Sequence, residues 1–289
     1  MVLCVKVKKQ DAEKARTHMI KRDIFAQGYR YGKDDDFLYF PVKEEFAIPK
    51  LALEFLEREL EETELQPAWR DAAREILTEK EHNLGRFGYD SLGTIAVVEI
   101  VEELLPKEKE LAQLLLDTDK KIETVLKKSG GHIGEFRTQE MIYLAGKETK
   151  ETLLHENGCR FKINVETVYF SIRLSTERTR IMKLIVPGEN ILCMFSGAGP
   201  YPVVFAKKTD AKSLVAIEIN PEGHKYGEQN AKMNKVEQKI KFYCGDVNKI
   251  VPELVKDGQK FDRITMPLPH TGIEFLPAAL DAITSGGTI

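Results

Sequence analysis

Leu3-Cys4-Val5-Lys6-Val7 alternates as a half-buried strand does. Asp11 then caps a helix that Gly28 ends. Phe37 to Val42 predicts a second strand, and Pro49 opens a charged helix through Glu64. Pro67 marks a linker, so 1–66 is expected to form a small α+β module. Such a module, with lysines on its first strand, serves recognition more often than catalysis.

The pattern from 68 to 167 predicts a second α+β unit. Thr94 to Ile100 is its clearest strand, followed by a helix from Glu108 to Asp117. Shorter strands are expected near Thr124–Leu126, Ile142–Leu144 and Cys159–Ile163. A glycine-loosened loop, Gly130 to Arg137, lies between them. It reads either as a hairpin turn with Arg137 as a surface charge, or as a loop that presents that arginine.

From 168 the rhythm becomes that of a doubly wound sheet. Ser175 is placed to cap a helix with Glu177 in its first turn, where an acid also simply complements a helix N-terminus. Residues 191–220 read as a buried strand, a glycine turn, a helix and a second strand ending in Glu218. Lys239 to Tyr243 is a third strand closed by Gly245-Asp246-Val247, and Phe261 to Met266 a fourth, stopped by Pro267-Leu268-Pro269. Ala278 to Thr284 reads as the next helix and Gly286 to Ile289 as the start of a fifth strand. Either the chain is truncated there or the edge of the sheet is missing. The expected fold is therefore α/β: a Rossmann-like, doubly wound domain over 168–289, preceded by two smaller α+β domains.

Chemistry concentrates in the glycine turn. Gly197 and Gly199 let the backbone turn sharply and approach a ligand. Glu218 follows at about 20 residues, where an acid reaches ribose hydroxyls. A bare G-x-G also fits any tight strand-to-helix turn. A dinucleotide site wants a third glycine, whereas Pro200-Tyr201-Pro202 supplies none and removes two backbone donors. S-adenosylmethionine has no phosphate to cradle and tolerates this. Asp246, at a strand end, can accept from an adenine amine. These groups gather where strand carboxyl ends meet.

Composition narrows the classes. Apolar residues make up 42% and charged residues 31%, as in a soluble globular protein. The net charge of -3 means that nucleic-acid binding must come from local patches. These are Lys6, Lys8 and Lys9; Lys120, Lys121, Lys127 and Lys128; and Arg173, Arg178, Arg180 and Lys183, each of which could equally be a solvated face. Cys4, Cys159, Cys193 and Cys244 form no C-x-x-C and read as reduced thiols. The six histidines have no metal-binding spacing, so no metal is expected. No apolar run approaches the roughly 20 residues of a membrane span, and no signal-peptide core is present. A cytoplasmic, soluble monomer is expected.

Taken together, the segments resemble the archaeal and eukaryotic tRNA guanine-N1 methyltransferases, which act on the purine just 3′ of the anticodon. The carriers run the length of the chain: Phe87 to Ala96, Gly134-Glu135-Phe136-Arg137, Leu144-Ala145-Gly146, Glu156 to Phe161, Tyr169-Phe170-Ser171 with Arg173-Leu174, Thr176-Glu177-Arg178, and the cofactor motifs. The resemblance implies that Arg137 binds the target guanine and Glu177 is the general base. It places Tyr169, Arg178, Phe195 and Pro267 beside the methyl donor. Gly197, Gly199, Glu218, Ile219, Asp246 and Val247 would hold that donor, S-adenosylmethionine, and tRNA would be met at the anticodon stem-loop and the core.

The chemistry needs these types: a carboxylate to take the N1 proton, and a guanidinium for charge building on O6. Two departures stand out. Pro267 replaces the family's usual asparagine, and Cys193 replaces an acid in the first strand. Two rivals remain: a wybutosine-pathway aminocarboxypropyltransferase, and a non-catalytic tRNA-binding protein.

Overall fold

The computed structural model describes residues 1–49, 51–62, 67–131, 134, 136–268 and 271–289. Glu64, Glu135 and Pro269, named in the sequence reading, lie outside these, as do His132 and Ile133 of the Gly130–Arg137 loop. Two compact units result, Met1–Pro67 and Ala68–Ile289.

The first unit contains β1 (Val2–Lys8), α1 (Ala12–Lys21), β2 (Gly32–Lys33), β3 (Phe37–Pro41) and β4 (Glu54–Arg58). Its strands form an antiparallel sheet in the order β2-β3-β1-β4. Val5, Val7 and Phe40 are buried with Ala15 and Met19 of α1. The charged helix expected from Pro49 is instead β4, among the described residues. Phe55 packs toward the core while Glu54 reaches Lys6 of β1 at 2.9 Å, a period-2 arrangement. Pairing with β1 overrides local helix propensity. The helix α1 also stops at Lys21, well before Gly28, because Asp23 takes a left-handed φ of 53° and turns the chain. Asp11 stands at the N-cap but its side chain makes no capping bond.

The second unit opens with α2 (Trp69–Ala72), α3 (Glu79–Leu84), β5 (Tyr89–Leu92), β6 (Ile95–Val98), α4 (Glu108–Thr118), β7 (Thr124–Lys128) and β8 (Met141–Gly146). Strands β5 to β8 pair in sequence order. One face, with Ala96, Val98 and Val125, is covered by Trp69 and by Leu111 and Leu115 of α4. The other face, with Ile95, Val97 and Leu126, joins the core of the following residues. That continuity makes 68–289 one compact body.

A hairpin follows, β9 (Glu151–Glu156) and β10 (Cys159–Asn164), then α5 (Ser175–Met182). Ser175 is the first helical residue rather than the cap, since a 3-10 turn over Ile172–Leu174 runs straight into α5. The remaining elements are β11 (Asn190–Cys193), α6 (Pro200–Lys208), β12 (Ser213–Glu218), α7 (Pro221–Met233), β13 (Ile240–Cys244), α8 (Val247–Lys256), β14 (Phe261–Thr265), α9 (Leu276–Ala282) and β15 (Ile283–Thr288). The strands make a parallel sheet in the order β13-β12-β11-β14-β15. Alternation sends Ile191, Cys193, Leu214 and Ala216 into the core shared with α6 and α7. Leu192, Val215 and Ile217 face α8 and α9. The order reverses between β11 and β14, and the crevice beyond such a reversal is where doubly wound sheets bind ligands.

Candidate active site

The turn after β11 holds two left-handed glycines, Gly197 at φ 54° and Gly199 at φ 81°. A Cβ at Gly197 would sit 3.5 Å from the Tyr169 carbonyl oxygen, so the turn passes directly under that segment. Gly199 is the N-cap of α6, and Pro200 and Pro202 remove N–H groups that a pyrophosphate would need. Phe195 and Arg137 also hold positive φ, 58° and 51°. Left-handed backbone at non-glycine residues costs of order 1–3 kcal/mol each, and such strain clusters at ligand sites.

Glu218, the last residue of β12, is buried. Its carboxylate accepts from the Gly197 N–H at 2.6 Å and the Asn220 N–H at 2.8 Å. Burial pushes its pKa up, opposed by the N–H groups of Asn220, Gly197 and Ile219. A Cβ at Gly223 would come within 3.1 Å of the Glu218 Cγ, so glycine there leaves room for the acid. Asp246 caps α8, accepting from Asn248 at 2.8 Å.

Gly197, Glu218 and Asp246 line a crevice of about 130 Å³ with Arg137, Tyr169, Phe195, Ile219, Val247 and Pro267. Phe195 and Phe275 meet edge to face at 4.8 Å within it. The donor set fits a nucleoside carrying no phosphate: a buried acid for hydroxyls, a second acid at a strand end, and aromatic and aliphatic walls. Asn220, Gly223, Phe136 and Phe275 also line the crevice and were missed in the sequence reading. Asn220 had a readable signal, an Asn-Pro at a helix start: its side chain accepts from Glu222 and donates to the Thr167 carbonyl.

Three expected site residues do not line this crevice. Gly199 shapes the turn behind it. Arg178 is 1% exposed, paired with Glu156 of β9, donating to the Ser171 carbonyl at 2.9 Å and flanked by the Phe170 and Tyr201 rings. That setting is an internal brace. Glu177 lies in an adjoining cavity of about 570 Å³ that shares Pro267 and Leu268 with the crevice. Arg180 grips its carboxylate with two bonds, at 2.7 and 2.8 Å, and thereby holds its pKa below the usual carboxylate range. Cys193 is fully buried, and burial pushes its thiol up to about 12.

Fold and crevice together define a Rossmann-like class I methyltransferase. The description "TRM5/TYW2 methyltransferase domain" matches 152–289, "TYW2 N-terminal domain" 69–149 and "tRNA methyltransferase 5 N-terminal domain" 4–50. The tRNA (guanine(37)-N(1))-methyltransferase Trm5b of Pyrococcus abyssi is 37% identical over all of this chain and 83% of its own length. Its counterpart from Methanocaldococcus jannaschii is 31% identical over 100% of this chain and 85% of its own. A solved complex of aTrm5 with tRNALeu superposes with a TM-score of 0.69 at 29% identity, covering 99% of this chain and 85% of that one. The chain belongs to the TRM5/TYW2 methyltransferase family.

Proposed function

We propose that this protein transfers the methyl group of S-adenosylmethionine to N1 of the guanine just 3′ of the tRNA anticodon. One observation carries the reading: the phosphate-free nucleoside crevice of Gly197, Glu218 and Asp246 is also lined by Arg137 and Tyr169. Glu218 accepts from the ribose hydroxyls, Asp246 from the adenine amine, and Phe195, Ile219, Val247 and Pro267 enclose the nucleoside. Once bound, S-adenosylmethionine supplies an electrophilic methyl group. A guanine ring lying across the Pro267–Leu268 lip meets both linings. Arg137 donates to O6, where negative charge builds as N1 loses its proton. Glu177 takes that proton, and the freed N1 lone pair would form the new N–C bond as the S–CH3 bond breaks, its electron pair staying on sulfur as a neutral thioether. Arg178 acts on the donor indirectly, by bracing the Ser171 carbonyl near Tyr169.

Within the second unit, 68–167 is read as the domain that presents Arg137 and 168–289 as the domain that holds the donor. The first unit meets the tRNA core, and the protein works as a cytoplasmic monomer. Mass spectrometry of an unmodified tRNA transcript incubated with protein and S-adenosylmethionine tests the reading. A gain of one methyl on that guanine is expected. An aminocarboxypropyl adduct would instead identify a wybutosine-pathway transferase, and no change a binding protein.

A further inference from the structure

A second cavity, of about 320 Å³, adjoins the donor crevice and shares the lining residues Arg137, Val168 and Tyr169 with it. Its size is that of a small-molecule site. Among the other lining residues, which include Thr138, Gln139 and Glu166, two sets stand out. Leu92, Val97, Ile163 and Val165 give an apolar floor drawn from buried side chains. Asp90, Glu99, Lys128 and Arg173 give a charged rim. Lys128 lies 2.9 Å from Glu99 and 3.6 Å from Asp90, and Arg173 reaches Asp90 at 2.8 Å. Phe170 adds an aromatic wall beside Tyr169.

We propose that this cavity binds a second nucleotide of the RNA substrate, the immediate neighbour of the methylated guanine. This rests on the function proposed above. Withdrawing one base from a stacked loop unstacks its neighbour, which then needs a new apolar surface. Adjacent nucleotides are joined by one phosphodiester, and the two cavities are joined by one wall, Arg137 and Tyr169. A nucleobase is flat and apolar in its faces with donors and acceptors on its edge, which matches an apolar floor beneath a rim carrying both signs. The Arg173 side chain is 79% exposed. Its bond to Asp90 leaves N–H donors of the guanidinium for the connecting phosphate.

The test uses full-length tRNA carrying the target guanine, with an abasic residue at its 5′ or its 3′ neighbour. One of the two abasic tRNAs should lose roughly 10–100-fold in kcat/KM, as loss of a stacked base does. In Thr138→Trp, which fills the cavity, and in Arg173→Ala, the intact tRNA should react more slowly and the abasic penalty should shrink severalfold. 2-Aminopurine at the same position gives a readout independent of transfer: its fluorescence should change on binding, and the change should disappear in Thr138→Trp. Thermal unfolding of both variants checks that they fold; if Thr138→Trp does not, Arg173→Ala carries the comparison. Equal rates for both abasic tRNAs and the parent, or a penalty or fluorescence change undiminished in the variants, would overturn the proposal. Failure to methylate even the parent tRNA would count against the function reading, while the fluorescence still decides this one.

Discussion

Arg180 grips Glu177, the proposed base, through both carboxylate oxygens, and that grip would set the acidity at which it works. Its pKa lies below the ordinary value, so the carboxylate stays ionised to lower pH and the rate should rise with pH only at the acid end. Glu177→Gln keeps the shape and loses the base. Single-turnover methylation should slow by about 10²–10⁴, with donor affinity little changed and the acid limb gone. Arg180→Ala should move that limb to higher pH, because the group that depresses the Glu177 pKa has been removed. Glu218 behaves in the opposite sense. Burial raises its pKa, so donor affinity should begin to fall, on acidification, at a pH above that of an exposed glutamate. Glu218→Ala should weaken donor binding by roughly 1–3 kcal/mol, the cost of leaving buried hydrogen bonds unmade. Calorimetry of S-adenosylmethionine binding across pH checks both, and an unchanged affinity would remove Glu218 from the site. The glycine turn and Glu218 were legible in the sequence because a short motif fixes their spacing. The role of Arg178 was not: its partner Glu156 is remote in the chain, and burial of an arginine leaves no periodic trace.

At the scale of elements, α7 does more than cover the parallel sheet. Asn230 accepts from the Lys162 N–H at 2.7 Å and donates to the Lys162 and Ala198 carbonyls, each at 3.0 Å. One turn on, Asn234 accepts from the Arg160 N–H at 2.9 Å and donates to its carbonyl at 2.6 Å. Two amides spaced i, i+4 thus bond the Arg160 and Lys162 backbone of β10, whose strand partner among the described residues is β9 alone. Asn230→Ala leaves buried backbone groups unmatched and should cost about 1–3 kcal/mol of stability. Chemical denaturation with a two-state fit measures it. A change within about 0.5 kcal/mol, as at an ordinary surface site, would show that water replaces the amide. The strands of the parallel sheet were readable as apolar runs buried on both faces. By contrast, β4, β5 and β9 were not: Glu54, Glu57 and Arg58 break the apolar pattern of β4, whose partner β1 is remote in the chain, and β5 and β9 are short strands mixing polar with apolar residues, paired with β6 and β10.

On the scale of the whole molecule, a net charge of -3 has to coexist with an anionic partner. Binding should therefore rest on a few local cations and weaken steeply as salt rises, with a log–log slope counting the phosphates neutralised. Deleting residues 1–67, a compact unit of its own, should lower affinity for full-length tRNA more than for an isolated anticodon stem-loop. Filter binding with both RNAs measures this, and equal losses would contradict a core-contacting role. The brace between Arg178 and Glu156 bears on heat. Charged groups lose hydration free energy as temperature rises, so the cost of keeping this pair dry falls while apolar stabilisation levels off. The helix that carries Glu177 is thus pinned more firmly, relative to its surroundings, the hotter the protein becomes. Glu156→Gln should reverse that trend: turnover would fail on warming several degrees before the calorimetric unfolding peak, while the parent would keep working up to the edge of its own melting transition.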